Sequence, residues 1–259
     1  MSYNNLFEDL RLRRRKALIT YFTALYPSAK AFESAVLAAD RSGSDLIEIG
    51  LPFSDPMADG PVIQHSSHCS LVRGFTISRM FRSLARLKGK VSAPLIIMTY
   101  FNPVLKRGIK RFIGECRLSG VSGLIIPDML PEEGGPAEEA AARAGIAINY
   151  LLAPDSGTAR IRLVAARTTG FIYLVSAAGV TGERKKMPGY LPRVAARIRR
   201  ITDKPLCIGF GISTPQQAKA VSGLCDGVIV GSALVKKTGP GEAAKFIKAL
   251  RRGIGIGAI

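Results

Sequence analysis

Tryptophan is absent from this 259-residue chain, histidine occurs twice, and aromatic residues make up only 7%. The two histidines, His65 and His68, stand three apart with no third ligand nearby, so ordinary surface or core histidines are expected and no metal centre. Four cysteines, Cys69, Cys116, Cys207 and Cys225, show no CxxC spacing, which leaves neither a zinc site nor a disulfide framework. Apolar runs are short. Residues 123–127 are typical, far below the roughly 20 residues that a membrane span needs. Residues 1–10 are polar and acidic, with no apolar region to serve as a secretory signal, so a soluble cytoplasmic protein is expected. Acidic residues are scarce as well, 19 against 37 basic, for a formal charge of +18. The basic clusters lie at 11–16, 184–186, 193–200 and 251–252. They carry no aromatic interleaving and match no nucleic-acid motif, so nucleic acid is not an expected partner. Such a field would still help attract a phosphorylated substrate.

What is present is an apolar fraction of 47%, enough for a large core, with 27 glycines and 15 prolines marking many short turns. Short runs rich in Ile, Val and Leu recur at 17–23, 46–50, 95–99, 123–126, 146–151, 171–175, 206–209 and 227–230. Continuous apolar runs of this length read as parallel strands buried on both faces. Amphipathic stretches lie between them, at 30–41, 131–144, 191–201 and 215–222. Pro131-Glu132-Glu133 places acid in a first turn, and Ser213-Thr214-Pro215 supplies a cap followed by proline. Unbroken alternation of strand and helix means a parallel sheet with right-handed crossovers. Eight units in about 250 residues favour a closed barrel over an open sheet. An open nucleotide-binding sheet would carry GxGxxG after the first strand, and Thr20-Tyr21-Phe22-Thr23 leads into nothing of the kind. The expectation is one α/β domain over 1–259, a (β/α)8 TIM barrel with an extra N-terminal helix at 4–16.

In such a barrel the chemistry lies at the C-terminal ends of the strands. The second run gives Glu48, which shares a strand face with Leu46 while Ile47 and Ile49 share the other. An inward Glu48 would sit at the mouth of an apolar barrel, where desolvation raises its pKa and suits it to general acid/base work. A lone strand-end Glu is more often structural, a helix cap or a partner for a surface arginine. Asp59 changes that balance, because it ends a loop stiffened by Pro52 and Pro56 that can hold a second carboxylate over the same mouth. The last three strands end differently, in Gly179-Val180-Thr181-Gly182, Gly209-Phe210-Gly211 and Gly231-Ser232. Glycine lets backbone N–H groups approach an anion, and barrels commonly bind phosphate after strands seven and eight. Tight turns alone would explain any one of these glycine loops. Three in register on one face point to phosphate.

The stretch LIEIGLPFSDPMADGPVIQ, residues 46–64, resembles the signature of the tryptophan synthase α-subunit family. The resemblance covers essentially the whole chain: Asn5-Leu6-Phe7, Met98-Thr99-Tyr100-Phe101-Asn102-Pro103, Ile125-Ile126-Pro127-Asp128, Ser176 with GVTG, GFGIS and GSALV. It implies retro-aldol cleavage of indole-3-glycerol phosphate to indole and glyceraldehyde 3-phosphate. Glu48 would then be the acid/base, while Asp59 accepts the indole N–H and stabilises the protonated ring. Tyr21, Ile63, Tyr100, Ile125 and Tyr173 would line the indole pocket, with Tyr100 in reach of Glu48. Gly182, Gly211, Gly231 and Ser232 would bind phosphate, and Thr181 would meet Asp59 when its loop closes. The resemblance further implies a β subunit in an α2β2 heterotetramer, docked on a side that includes Pro52, Asp55, Asn102 and Pro103. Pyridoxal phosphate would belong to that partner, with no cofactor in this chain. The family's usual Gly-Asp-Pro after strand one reads Leu25-Tyr26-Pro27 here, its Arg-Ala-Leu after Gln64 reads Cys69-Ser70-Leu71, and the loop at 183–186 is basic. The same residues would serve a free-standing lyase that releases indole. The charge leaves a third reading, a barrel that binds phosphate or nucleic acid without catalysis.

Overall fold

The computed structural model describes residues 3–175, 188–209, 211–237 and 239–255. These form one parallel sheet of β1 (Ala17–Thr23), β2 (Leu46–Gly50), β3 (Leu95–Met98), β4 (Val121–Ile125), β5 (Ala147–Asn149), β6 (Leu151–Leu152), β7 (Ile172–Val175), β8 (Leu206–Gly209) and β9 (Gly227–Val230), in the order 5-4-3-2-1-9-8-7-6. The two ends of that order, β5 and β6, are halves of one chain segment, so the sheet closes on itself as a barrel. The expected run 146–151 therefore becomes two strands that part at Tyr150. Ahead of that residue β5 pairs with β4, and after it β6 pairs with β7. The seam is carried by Tyr173 N–H donating to the Tyr150 carbonyl at 2.9 Å and Thr169 N–H donating to the Ile148 carbonyl at 3.0 Å.

Strand alternation sorts the core into two layers. Ala17, Ile19 and Tyr21 of β1 join Leu46, Ile96, Ile125, Tyr173, Cys207 and Ile229 inside the barrel. Leu18, Phe22, Ile47, Ile49, Ile97 and Leu124 point outward against the helices. The leading helix runs Tyr3–Leu12, shorter than the expected 4–16, and plugs the end of the barrel where the strands begin. Tyr3 donates its hydroxyl to Asn149 Oδ1 at 2.5 Å, and Phe7 packs edge-on against Phe171 with ring centroids 5.8 Å apart.

Two helices rather than one follow each of β2 and β3: Pro61–Val72 with Ile77–Leu87, then Phe101–Arg107 with Ile109–Leu118. The helix expected from Pro131 begins instead at Gly135, with Pro136 in its first turn. Residues 131–133 form a turn ahead of the glycine pair, and the acid in the helix's first turn is Glu138. The cap read at Thr214 forms. Its hydroxyl accepts from Gln217 N–H while the Gln217 side chain accepts from Thr214 N–H, closing a capping box.

Candidate active site

β2 carries Glu48 between Tyr21 on β1 and Ile96 on β3 in register. Its inward side chain follows from the strand's alternation, and it is only 1% exposed. Glu48 Oε2 is buried with no hydrogen-bond partner. Burial, and next the charge of Asp59, push its pKa up to about 8. At neutral pH the group is therefore mostly protonated, a buried acid whose Oε2 has no hydrogen-bond partner among the described residues.

Asp59 reaches the same space from the loop after β2 and is 7% exposed. The loop is tied down at both ends of the residue. Tyr100, just past β3, accepts from Ala58 N–H at 2.9 Å and donates its hydroxyl to Asp59 Oδ2 at 3.2 Å. Gln64, in the first turn of the next helix, donates to the Asp59 carbonyl at 2.8 Å. Burial raises the Asp59 pKa to about 6 against the lowering effect of the Tyr100 hydrogen bond. Two carboxylates in one mouth thus titrate apart, and near pH 7 one is an acid while the other is ionised.

The aromatic residues named from the resemblance fall around this pair. Tyr21 and Tyr173 are fully buried phenols whose pKa is driven far up, first by burial and then by the charges of Asp59 and Glu48. Both hydroxyls fold over glycine: a Cβ on Gly50 would overlap Tyr21, and one on Gly209 would overlap Tyr173. Ile63 and Ile125 belong to the same interior cluster. Tyr100 bonds to Asp59 and Ala58 rather than to the expected Glu48. Sequence reasoning passed over Gln64 and Phe53, although both lie in the signature stretch; Phe53 stacks on Tyr100 with ring centroids 5.4 Å apart.

Of the expected phosphate residues, Gly231 caps the short helix Ser232–Val235, and a Cβ there would touch Tyr21 Cβ at 3.5 Å and Ile63 Cδ1 at 3.8 Å. Gly231 therefore adjoins Tyr21 and Ile63. Gly211 takes φ +85°, a conformation that favours glycine. The N–H groups of Ser213 and Thr214 are taken by Gln217. Thr181 and Gly182 lie outside the described residues, as does Ser176. Among the described residues no group of three His, Cys, Asp or Glu side chains could hold a metal. The expected His pair stands on one helix, where His65 Nε2 is 3.5 Å from Cys69 Sγ.

A closed parallel barrel with two pKa-split carboxylates buried at its strand ends is the build of an α/β-barrel enzyme for acid–base chemistry on a small substrate. The family described as tryptophan synthase alpha chain matches residues 7–252. A tryptophan synthase alpha chain of Gloeobacter violaceus is 43% identical over 255 residues, 95% of this chain and 92% of that one. Another, from Geobacter sulfurreducens, is 41% identical over 96% of this chain and 97% of its own. Among solved structures, a tryptophan synthase chain of Mycobacterium tuberculosis superposes with TM-score 0.93 at 32% identity, covering 98% of both chains. The chain belongs to the tryptophan synthase alpha chain family. That family is a lyase of tryptophan biosynthesis that cleaves indole-3-glycerol phosphate and works with a β subunit. The barrel fold expected from the sequence is the fold of these structures.

Proposed function

We propose that this chain cleaves indole-3-glycerol phosphate to indole and glyceraldehyde 3-phosphate, with Glu48 as acid/base and Asp59 as the ionised partner. The observation that carries this reading is the buried, unpartnered Oε2 of Glu48 beside a second buried carboxylate. Protonated Glu48 donates to indole C3, which places positive charge on the ring, and Asp59 offsets that charge while accepting the ring N–H. Glu48, now a carboxylate, takes the proton of the glycerol hydroxyl as the C–C bond breaks. The proton balance closes, because one carboxyl gives a proton and then receives one. Tyr21, Ile63, Ile125, Tyr173 and Tyr100 form the walls around the ring. Gly211, Gly231, Ser232 and Gly182 receive the phosphate, and Thr181 meets Asp59 on closure, excluding water. Residues 1–259 act as one barrel domain.

The docking side for a β subunit in an α2β2 assembly is the rim groove lined by Pro52, Phe53, Leu71, Phe75 and Pro103. Asp55 and Asn102 are exposed beside it. Pyridoxal phosphate belongs to that partner, and the complex works in the cytoplasm. Purified chain mixed with indole-3-glycerol phosphate is expected to release indole, and faster when a β subunit is added. No indole sinks the reaction. Indole without rate increase, and without a complex on gel filtration, leaves a free-standing lyase.

A further inference from the structure

All strands of the barrel run parallel, so one face gathers the residues that precede each strand together with the C-terminal ends of the helices. That face lies opposite the mouth that holds Glu48 and Asp59. Its charge is one-sided around β2, β1, β9 and β8. Arg41 ends the helix before β2, Arg11, Arg13 and Arg14 precede β1, Arg200 precedes β8, and Arg252 ends the last helix, which packs on the helix Ala29–Arg41. All six are exposed.

Three carboxylates of this arc, Asp45, Asp226 and Asp40, are engaged in holding it together. Asp45 binds both Arg15 at 3.0 Å and Arg251 at 2.6 Å, and Arg251 also donates to the Lys16 carbonyl at 3.0 Å. Asp226 pairs with Arg199 and accepts from Leu206 N–H. Asp40 is taken by the N–H groups of Ser92 and Ala93. Asp203 stays exposed, as does Glu8 back along the first helix, beside the half-buried Asp9. Helix dipoles favour cations at and just past a helix C-terminus, and Arg13, Arg14 and Arg200 add to the last-turn arginines at those positions. Arg14 also takes φ +52° at the residue that ends a helix with Arg15 N–H on the Leu10 carbonyl, a position that favours glycine.

We infer that this face binds the phosphodiester backbone of nucleic acid, leaving the mouth free to turn over substrate. The charge is carried by guanidinium groups, whose forked donors match phosphate oxygens. Leu12, 78% exposed, is the one large apolar side chain on that basic segment, so nothing there amounts to a face that would insert into lipid. Contact with about five phosphates gives a log–log salt slope of about −4.5, an affinity loss of about 500-fold from 50 to 200 mM salt.

The test is fluorescence polarisation of the purified chain with labelled mixed-sequence duplex DNA and, in a second arm, single-stranded RNA. Binding of either supports the inference and names the source. The triple variant Arg13→Gln, Arg14→Gln, Arg200→Gln should flatten the slope by about 3 while indole release is unchanged. The triple variant Lys30→Gln, Arg162→Gln, Lys245→Gln, with the same net charge but its changes in the mouthward halves of helices, should keep the parent slope. Equal flattening in both overturns the site in favour of bulk charge. Arg14→Gly should raise the melting temperature and still weaken binding; undiminished binding in that variant counts against Arg14 as a contact. No binding tighter than about 100 μM at 100 mM salt, or binding to anionic vesicles but to neither nucleic acid, overturns the inference.

Discussion

Glu48→Gln should cut turnover at least about a hundredfold and gain stability relative to the wild type as pH rises, and the pH dependence of that gain measures the environment on which the mechanism rests. The folded pKa of Glu48 is about 8, against an ordinary 4.5. Because the folded value is the higher one, the unfolded chain releases the proton first. Folding therefore carries no penalty from this group below about pH 4.5, a growing one above it, and the full one beyond about pH 8. By linkage, the wild type should lose about 3–4 kcal/mol relative to Glu48→Gln between pH 5 and pH 8. The glutamine amide also lacks a partner at Oε2, which costs about 1–3 kcal/mol, but that offset is independent of pH and leaves the slope intact. Urea unfolding of both proteins at half-unit steps from pH 5 to 8.5 gives the two curves. Part of the slope comes from Asp59, so it should shrink in an Asp59→Asn background. Turnover in Glu48→Gln should fall at least about a hundredfold, the low end for acid/base catalysis. Parallel stability curves would refute the reasoning, because a Glu48 that ionises freely in the fold is neither desolvated nor an acid at neutral pH.

Because Asp59 must be ionised and Glu48 protonated, kcat/KM should follow a bell with an acid limb near pH 6 and a basic limb near pH 8, values that belong to the pair. Tyr100→Phe removes the hydrogen bond that lowers the Asp59 pKa, so the acid limb should move up by about one unit while the basic limb stays. An unmoved acid limb in that variant would detach it from Asp59. Leu25 takes φ +60° where the family usually has glycine, yet its side chain is buried against the outer core. Relieving the backbone yields about 1 kcal/mol and losing the side chain costs about 2–3, so Leu25→Gly should lower stability by about 1–2 kcal/mol in thermal unfolding.

Most of the barrel was legible because its strands are buried on both faces, and a run such as Ala17–Thr23 cannot be anything else without exposing apolar surface. The fifth strand read as one unit because Tyr150 continues the apolar pattern; only the pairing shows that the segment changes neighbours there. The helix expected from Pro131 starts later because acid and proline mark a helix start and a turn equally well, and the Gly134-Gly135 step ends the turn before the helix begins. At the site, the period of two sufficed to turn Glu48 inward. It could not show which hydroxyl holds Asp59, since Tyr100 lies 41 residues further on and reaches it only through the β2–β3 pairing. Loop residues are least legible of all, because turn glycines and anion-binding glycines are the same residue type. The positive φ of Gly211 and the contacts of Gly231 with Tyr21 and Ile63 fit either role.

The barrel combines a penalised carboxylate with a closure whose polar groups are hydrogen-bonded. Where the ladder parts at Tyr150, Asn149 accepts from Tyr3 and from Phe171 N–H at 2.8 Å and donates to the Leu124 carbonyl at 3.0 Å. Gly170 makes room for this arrangement, since a Cβ there would overlap both Asn149 and Tyr3. A satisfied polar cluster thus stitches the seam, with Asn149 ending β5 in register with Ile125 at the end of β4. The polar groups of the closure are thus satisfied, whereas Glu48 Oε2 has no partner among the described residues. The leading helix is consequently part of the closure rather than an appendage, because it brings Tyr3 to the seam.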